Sequence, residues 1–135
     1  MRIDAEMSEA EEAAVVRGLL AFNEKSLGPS NDQPVRLVAR DELGVIGGVL
    51  GRTRWQWLYV AKLWVDERAR GRGIGTQLLM AAEDLARSRG CIGASLDTFE
   101  FQARPFYEKH GYKLFGTLDG FPPGSRQFYL SKPLR

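Results

Sequence analysis

The sequence predicts an α+β domain, with a mixed, mostly antiparallel sheet of six or seven strands and helices on both faces. Three observations carry this. Val35 to Val65 reads as three consecutive extended runs separated by short turns, the pattern of an antiparallel meander. Leu58 to Thr98 reads as strand, glycine-rich turn, amphipathic helix and strand, which makes a right-handed crossover between two parallel strands. The chain shows no repeat, low-complexity tract or interdomain linker, so residues 1–135 are expected to form a single domain.

Taken in order, Ile3 to Ala5 is expected as a short first strand. Ser8-Glu9-Ala10-Glu11 has the capping-box pattern and opens a helix to about Asn23, with Val15, Val16, Leu19, Leu20 and Phe22 as its apolar stripe. Gly28 to Asp32 is a loop by composition. Val35 to Arg40 alternates as a strand, Asp41 to Gly44 turns, and Val45 to Leu50 returns. Gly47-Gly48 within that return marks a bulge or a close backbone approach. Gly51 to Arg54 is expected to turn again. Trp55 to Val65 then forms the longest strand, with Trp55, Trp57 and Tyr59 on one face, where the three could wall a pocket.

The central helix follows Leu63-Trp64-Val65 and the turn Arg68 to Gly75. Ile74, Leu78, Ala81, Ala82 and Leu85 recur at helical spacing, with Thr76, Gln77, Glu83, Asp84 and Arg87 opposite. Gly90 suits the left-handed residue that ends a helix. Cys91 to Thr98 is an apolar strand, and Gln102 to His110 a second helix that admits Pro105 in its first turn. Tyr112 to Thr117 and Gln127 to Ser131 are strands joined by the Gly120 to Gly124 loop.

Composition narrows the function. A chain of 135 residues, 44% hydrophobic and 27% charged, can bury a core without disulfides or metal. A net charge of +2 argues against a general nucleic-acid or membrane partner, and the basic character is local to Arg68, Arg70 and Arg72. The single cysteine, Cys91, reads as a small core residue in a reducing compartment. The single histidine, His110, leaves no zinc site and reads as a helix-end residue, so no metal is expected. The acidic N-terminus has no apolar signal region and no run is long enough to span a bilayer, so a cytoplasmic protein is expected.

The stretch from Leu63 to Gly90 is built to hold an anion. Backbone N–H groups in the turn and the first helical turn lack internal partners, and the helix dipole adds partial positive charge. Glycines let a phosphate approach the backbone, and three arginines surround it. Arg70-Gly71-Arg72-Gly73-Ile74-Gly75 lacks the spacing of the dinucleotide fingerprint and the Gly-Lys-Ser/Thr of a Walker A loop. It matches Arg/Gln-x-x-Gly-x-Gly/Ala, and there it resembles the acetyl-coenzyme A loop of the GNAT superfamily of N-acetyltransferases. Ala103-Arg104-Pro105-Phe106-Tyr107-Glu108-Lys109-His110-Gly111-Tyr112 resembles the second signature of that family, in its expected place.

The resemblance covers about Val35 to Leu134 and implies a fold, a co-substrate and a chemistry. The two central parallel strands splay to hold acetyl-CoA, and the pantetheine arm pairs with the edge of Leu63, Trp64 and Val65. By the same resemblance, Gly71, Gly73, Ile74, Gly75 and Thr76 are expected at the pyrophosphate, with Arg68, Arg70 and Arg72 as candidates for the pyrophosphate or the 3′-phosphate. The resemblance makes Tyr107 the candidate acid for the departing thiolate. The position where family members often carry Asn for the pantetheine arm holds Glu100, and that role is not carried over. The implied reaction is acetyl transfer to a primary amine of a small molecule or peptide by direct attack.

A base is not singled out by the sequence. Trp55 to Val65 contains no carboxylate, and Glu24, Asp41, Glu42, Asp97, Glu100 and Asp119 all remain open. The competing reading is a non-catalytic acyl-CoA-binding sensor or interaction module on the same fold. A homodimer is expected from the resemblance and from the apolar-aromatic Phe128, Tyr129 and Leu130.

Overall fold

The computed structural model describes residues 1–135, which form two compact units, Met1–Ser30 and Asn31–Arg135. In the first, Ile3 to Ala5 is not a strand, because no segment pairs with it. Helix α1 (Glu9–Leu27) starts at the expected capping box and runs about one turn beyond Asn23. Ser8 Oγ accepts from the Glu11 N–H at 3.1 Å, and the Glu11 carboxylate accepts from the Ser8 N–H at 2.9 Å. These bonds hold the Glu11 carboxyl below its usual range. The helix stops at Gly28, where φ is +77° and the N–H donates to the Glu24 carbonyl. No residue of α1 is buried.

The second unit contains β1 (Gln33–Asp41), β2 (Gly44–Arg54), β3 (Trp57–Val65), α2 (Ile74–Ser88), β4 (Gly93–Phe99), α3 (Arg104–Lys109), β5 (Lys113–Asp119) and β6 (Arg126–Pro133). The sheet has six strands in the order β1-β2-β3-β4-β6-β5, and only β3 and β4 run parallel. The α+β class, the meander and the parallel crossover follow the sequence.

The second hairpin does not turn where glycine suggests. Strand β2 continues through Gly51 to Arg54, and the reversal falls on Trp55 and Gln56, both left-handed with φ of 45° and 64°. A two-residue loop of this kind matches the twist of its strands. Trp55 therefore leaves the strand, and the expected row of three aromatic residues shrinks to Trp57 and Tyr59.

Gly51 serves a bulge instead. Leu50 pairs with Lys62 and Gly51 with Val60, leaving Ala61 as an extra residue on β3. A Cβ at Gly51 would collide with the Tyr59 carbonyl oxygen. The extra residue reverses the alternation, so Leu58 and Val60 face the core before it, and Leu63 and Val65 after it. The close approach expected at Gly47-Gly48 is real, since a Cβ on Gly47 would stand 2.9 Å from the Trp64 carbonyl oxygen.

The core lies between α2 and the sheet, built on Leu58, Val60, Leu79, Ala82, Leu96 and Leu130. Helix α2 is rotated from the stripe read in the sequence: Ala81 is exposed, whereas Leu79 and Glu83 are buried. Glu83 is 3% exposed, accepting the Tyr112 hydroxyl at 2.7 Å and the Lys132 ammonium at 2.9 Å. Burial and this bond push the Tyr112 phenol far above its ordinary range. Both partners lie far along the chain, so helical periodicity alone assigns Glu83 to the wrong side. Phe128 and Leu130 are also buried, in a strand flanked by β4 and β5, so their apolar character is accounted for within the chain.

Candidate functional site

Strands β3 and β4 pair only over Trp57–Val60 and Gly93–Leu96, and then part. From Ala61 to Val65, the edge of β3 turned away from β2 has no strand partner. Its amide and carbonyl groups are open to another extended chain. A cleft of about 760 Å³ opens there, walled by this edge, the start of α2, the end of β4 and the start of α3.

Glycine geometry shapes the α2 end of the cleft. Gly71 and Gly73 have φ of +80° and +74°, and Gly73 occupies the N-cap position with no side chain capping the helix. The Gln77 N–H closes the first turn on the Gly73 carbonyl at 3.0 Å, leaving the amides of Ile74, Gly75 and Thr76 without intrahelical partners. The turn thus presents free N–H groups and a positive dipole end, with no acidic residue in the first helical turn to oppose an anion.

Helix α3 closes the cleft. Tyr107 is 8% exposed and lines the cleft. Burial first, and then the charge of Asp97, push its phenol above the ordinary tyrosine value, so it is protonated at neutral pH. His110 ends α3, and its Nε2 lies 3.0 Å from Thr76 Oγ1, joining α3 to the first turn of α2. Its helix-end position was expected from the sequence, and its reach to Thr76 was not.

Asp97 is the first residue of β4 past the last paired position, at the apex of the gap. Ala94, Leu96 and Thr98 are buried on the α2 side of β4, so alternation places Asp97 on the other face with Ser95 and Phe99. Its carboxylate accepts the Tyr59 hydroxyl at 2.7 Å and the Gln127 side-chain amide at 3.1 Å. The Tyr129 hydroxyl in turn donates to Gln127 Oε1 at 2.9 Å. Burial and the bond to Asp97 push the Tyr59 phenol up to about 12.

The family model for the GNAT acetyltransferase family matches residues 5–112. The chain belongs to the GNAT acetyltransferase family. It is 37% identical over 130 residues to the acetyltransferase Atu2258 of Agrobacterium fabrum, covering 95% of each chain. It is 46% identical over 89 residues to blasticidin-S acetyltransferase of Streptomyces morookaense, covering 65% of each chain. The crystal structure of an acetyltransferase from Bacillus cereus superposes with a TM-score of 0.87 at 33% identity, covering 98% of each chain.

Within this GNAT domain, Leu63, Trp64, Val65, Arg70, Gly71, Gly73, Ile74, Gly75, Thr76 and Tyr107 all line the cleft. Arg72 does not, and its guanidinium lies 3.9 Å from Asp41. Arg68 is bound to Asp66 at 2.8 Å, and that ion pair holds the Asp66 carboxyl below its usual range. Arg70 is therefore the cleft arginine, with its Nε 3.4 Å from the Val65 carbonyl oxygen. Uncapped amides, left-handed glycines with open space beside them and a nearby guanidinium fit a phosphorylated ligand; the unpaired β3 edge fits its amide-bearing arm.

The open question of the base narrows as well. Glu100 is paired with Arg126 at 2.7 Å and does not line the cleft. Asp41 accepts the Leu43 N–H, and Glu24 accepts the Ser30 N–H within the first unit. Of the six carboxylates, only Asp97 lines the cleft. Nothing in the local sequence marks it, because its importance comes from where the pairing of β3 and β4 ends.

Proposed function

We propose that this chain transfers the acetyl group of acetyl-CoA to a primary amine of a small molecule, by direct attack within a ternary complex. The observation that carries this reading is Tyr107, protonated at neutral pH, in the same cleft as the unpaired β3 edge and the uncapped α2 N-terminus. Acetyl-CoA supplies the thioester that is attacked. The α2 amides and Arg70 bind its phosphates, the Ala61 to Val65 edge orients its arm, and Tyr107 delivers a proton to the departing sulfur. Relatives named for blasticidin-S and glucosamine 6-phosphate support a small-molecule acceptor.

The test is acetyl transfer followed by thiol release, with blasticidin S and a panel of small amines as acceptors. Initial-rate lines for the two substrates that intersect are expected, with Tyr107→Phe reducing kcat about 100-fold while acetyl-CoA still binds. Acetyl-CoA binding with no transfer to any amine would overturn the reading in favour of a sensor module.

A further inference from the structure

We propose that Asp97 is the catalytic base that takes the proton from the attacking amine, and that Tyr59 and Gln127 are positioning residues that aim its carboxylate into the gap. The inference rests on the N-acetyltransferase reading above and fills the role which that reading leaves open.

Three features of position support it. Asp97 sits at the apex, one residue beyond the last β3–β4 pair, where a ligand arm lying along the β3 edge would end. It lies on the sheet face opposite to the core, whereas Tyr107 belongs to the core cluster on the α2 side. An acid and a base thus meet one gap from opposite faces, which suits an amine arriving on one side and a thiolate leaving on the other. Asp97 and Tyr107 both line this one cleft.

The carboxylate is also held in a fixed orientation. Tyr59 from β3 and Gln127 from β6 each donate one hydrogen bond to a different oxygen, and Tyr129 fixes Gln127. A carboxylate has about four acceptor sites, so two remain for an ammonium and its departing proton. The geometry around it suits a small cationic amine. Phe101, which lines the cleft, stacks on Phe99 with centroids 5.4 Å apart, and Phe99 meets Phe121 edge-on at 5.4 Å behind it.

The proton and bond inventory closes. An N–C bond forms to the thioester carbonyl carbon and the C–S bond breaks, its electron pair leaving on sulfur. Two protons leave the nitrogen, one from the ammonium and one from the adduct, and both pass through Asp97 to solvent. Sulfur takes the Tyr107 proton, and solvent restores it. The net change is one acetamide, one free thiol and one released proton.

The experiment compares wild type, Asp97→Asn and Tyr59→Phe with acetyl-CoA and two kinds of probe: alkyl amines, charged at neutral pH, and hydroxylamine, which is uncharged. Asp97→Asn is expected to bind acetyl-CoA as wild type does and to lose about 100-fold or more in kcat with alkyl amines. With hydroxylamine the loss should shrink to within about tenfold, because no ammonium has to be discharged. Tyr59→Phe should lower kcat several-fold and leave KM for acetyl-CoA unchanged, which also covers a poorly folded Asp97 variant. Full activity of Asp97→Asn, or an equal loss with both kinds of probe, would overturn the base assignment alone. Wild type that transfers to no amine would overturn the enzyme reading itself, and this inference with it.

Discussion

Tyr59 donates its hydroxyl to Asp97 at 2.7 Å, bridging β3 and β4 at the first residue past their last paired position. The bond closes the apex of the gap without filling it. It also ties a spectroscopic reporter to the site, because the Tyr59 phenol is pushed up to about 12 by burial and then by this bond.

Alkaline titration should detect this reporter. Tyr59, Tyr107 and Tyr112 all ionise above the ordinary tyrosine value of about 10, each through burial first. A folded-state pKa above the unfolded one contributes stability that is whole below about pH 10 and is lost as pH rises towards 12 and beyond. Tyrosinate absorbance should therefore lag behind that of the unfolded chain, and the thermal midpoint should fall across this window. In Asp97→Asn, the Tyr59 step should move down towards 10. An unchanged step would show that the bond is not formed in solution.

Glu83 should be a stability residue. Replacing it with Leu removes the acceptor for both Tyr112 and Lys132 and should cost about 3 kcal/mol. Adding Lys132→Leu removes the orphaned charge and should recover part of the loss. Chemical denaturation of the two variants measures the difference, and equal stability would contradict the buried pair.

Substitution at Gly51 should act on the bulge. Gly51→Ala forces β2 and β3 apart at the Tyr59 carbonyl, with an expected loss of about 2 kcal/mol or more. Because Ala61 begins the unpaired edge, acetyl-CoA affinity should weaken too. Calorimetry read beside a binding titration separates the two effects.

The three arginines should differ. Arg70→Ala is expected to weaken acetyl-CoA binding about tenfold, the loss of one charge-assisted contact. Arg68→Ala and Arg72→Ala should change it less than about threefold, since those side chains pair with Asp66 and Asp41 at exposed sites. Equal losses at all three would point to a diffuse basic patch rather than a single ligand.

Cys91 should resist alkylation. The residue is 4% exposed, and burial pushes its thiol above the ordinary value. Neutral-pH labelling should be slow in the folded protein and fast after denaturation.

The sequence by itself determined the glycine turn, the helix and the Tyr107 segment that line the cleft. Glycine spacing around Gly71 and Gly73, the helix that follows, and the Tyr107 segment are local patterns, and local backbone rules are enough to read them. The capping box at Ser8 and the crossover of β3 and β4 were legible for the same reason. What only the tertiary structure decided depends on strand register and on partners distant in the chain. Gly51 admits the Tyr59 carbonyl opposite the bulge at Ala61, and the hairpin turn falls on Trp55-Gln56, where no glycine signals it. Glu83 entered the core because Tyr112 and Lys132 were there to meet it. Asp97 became the one cleft carboxylate because strand pairing stops at Leu96, a fact of register that no single stretch of residues encodes.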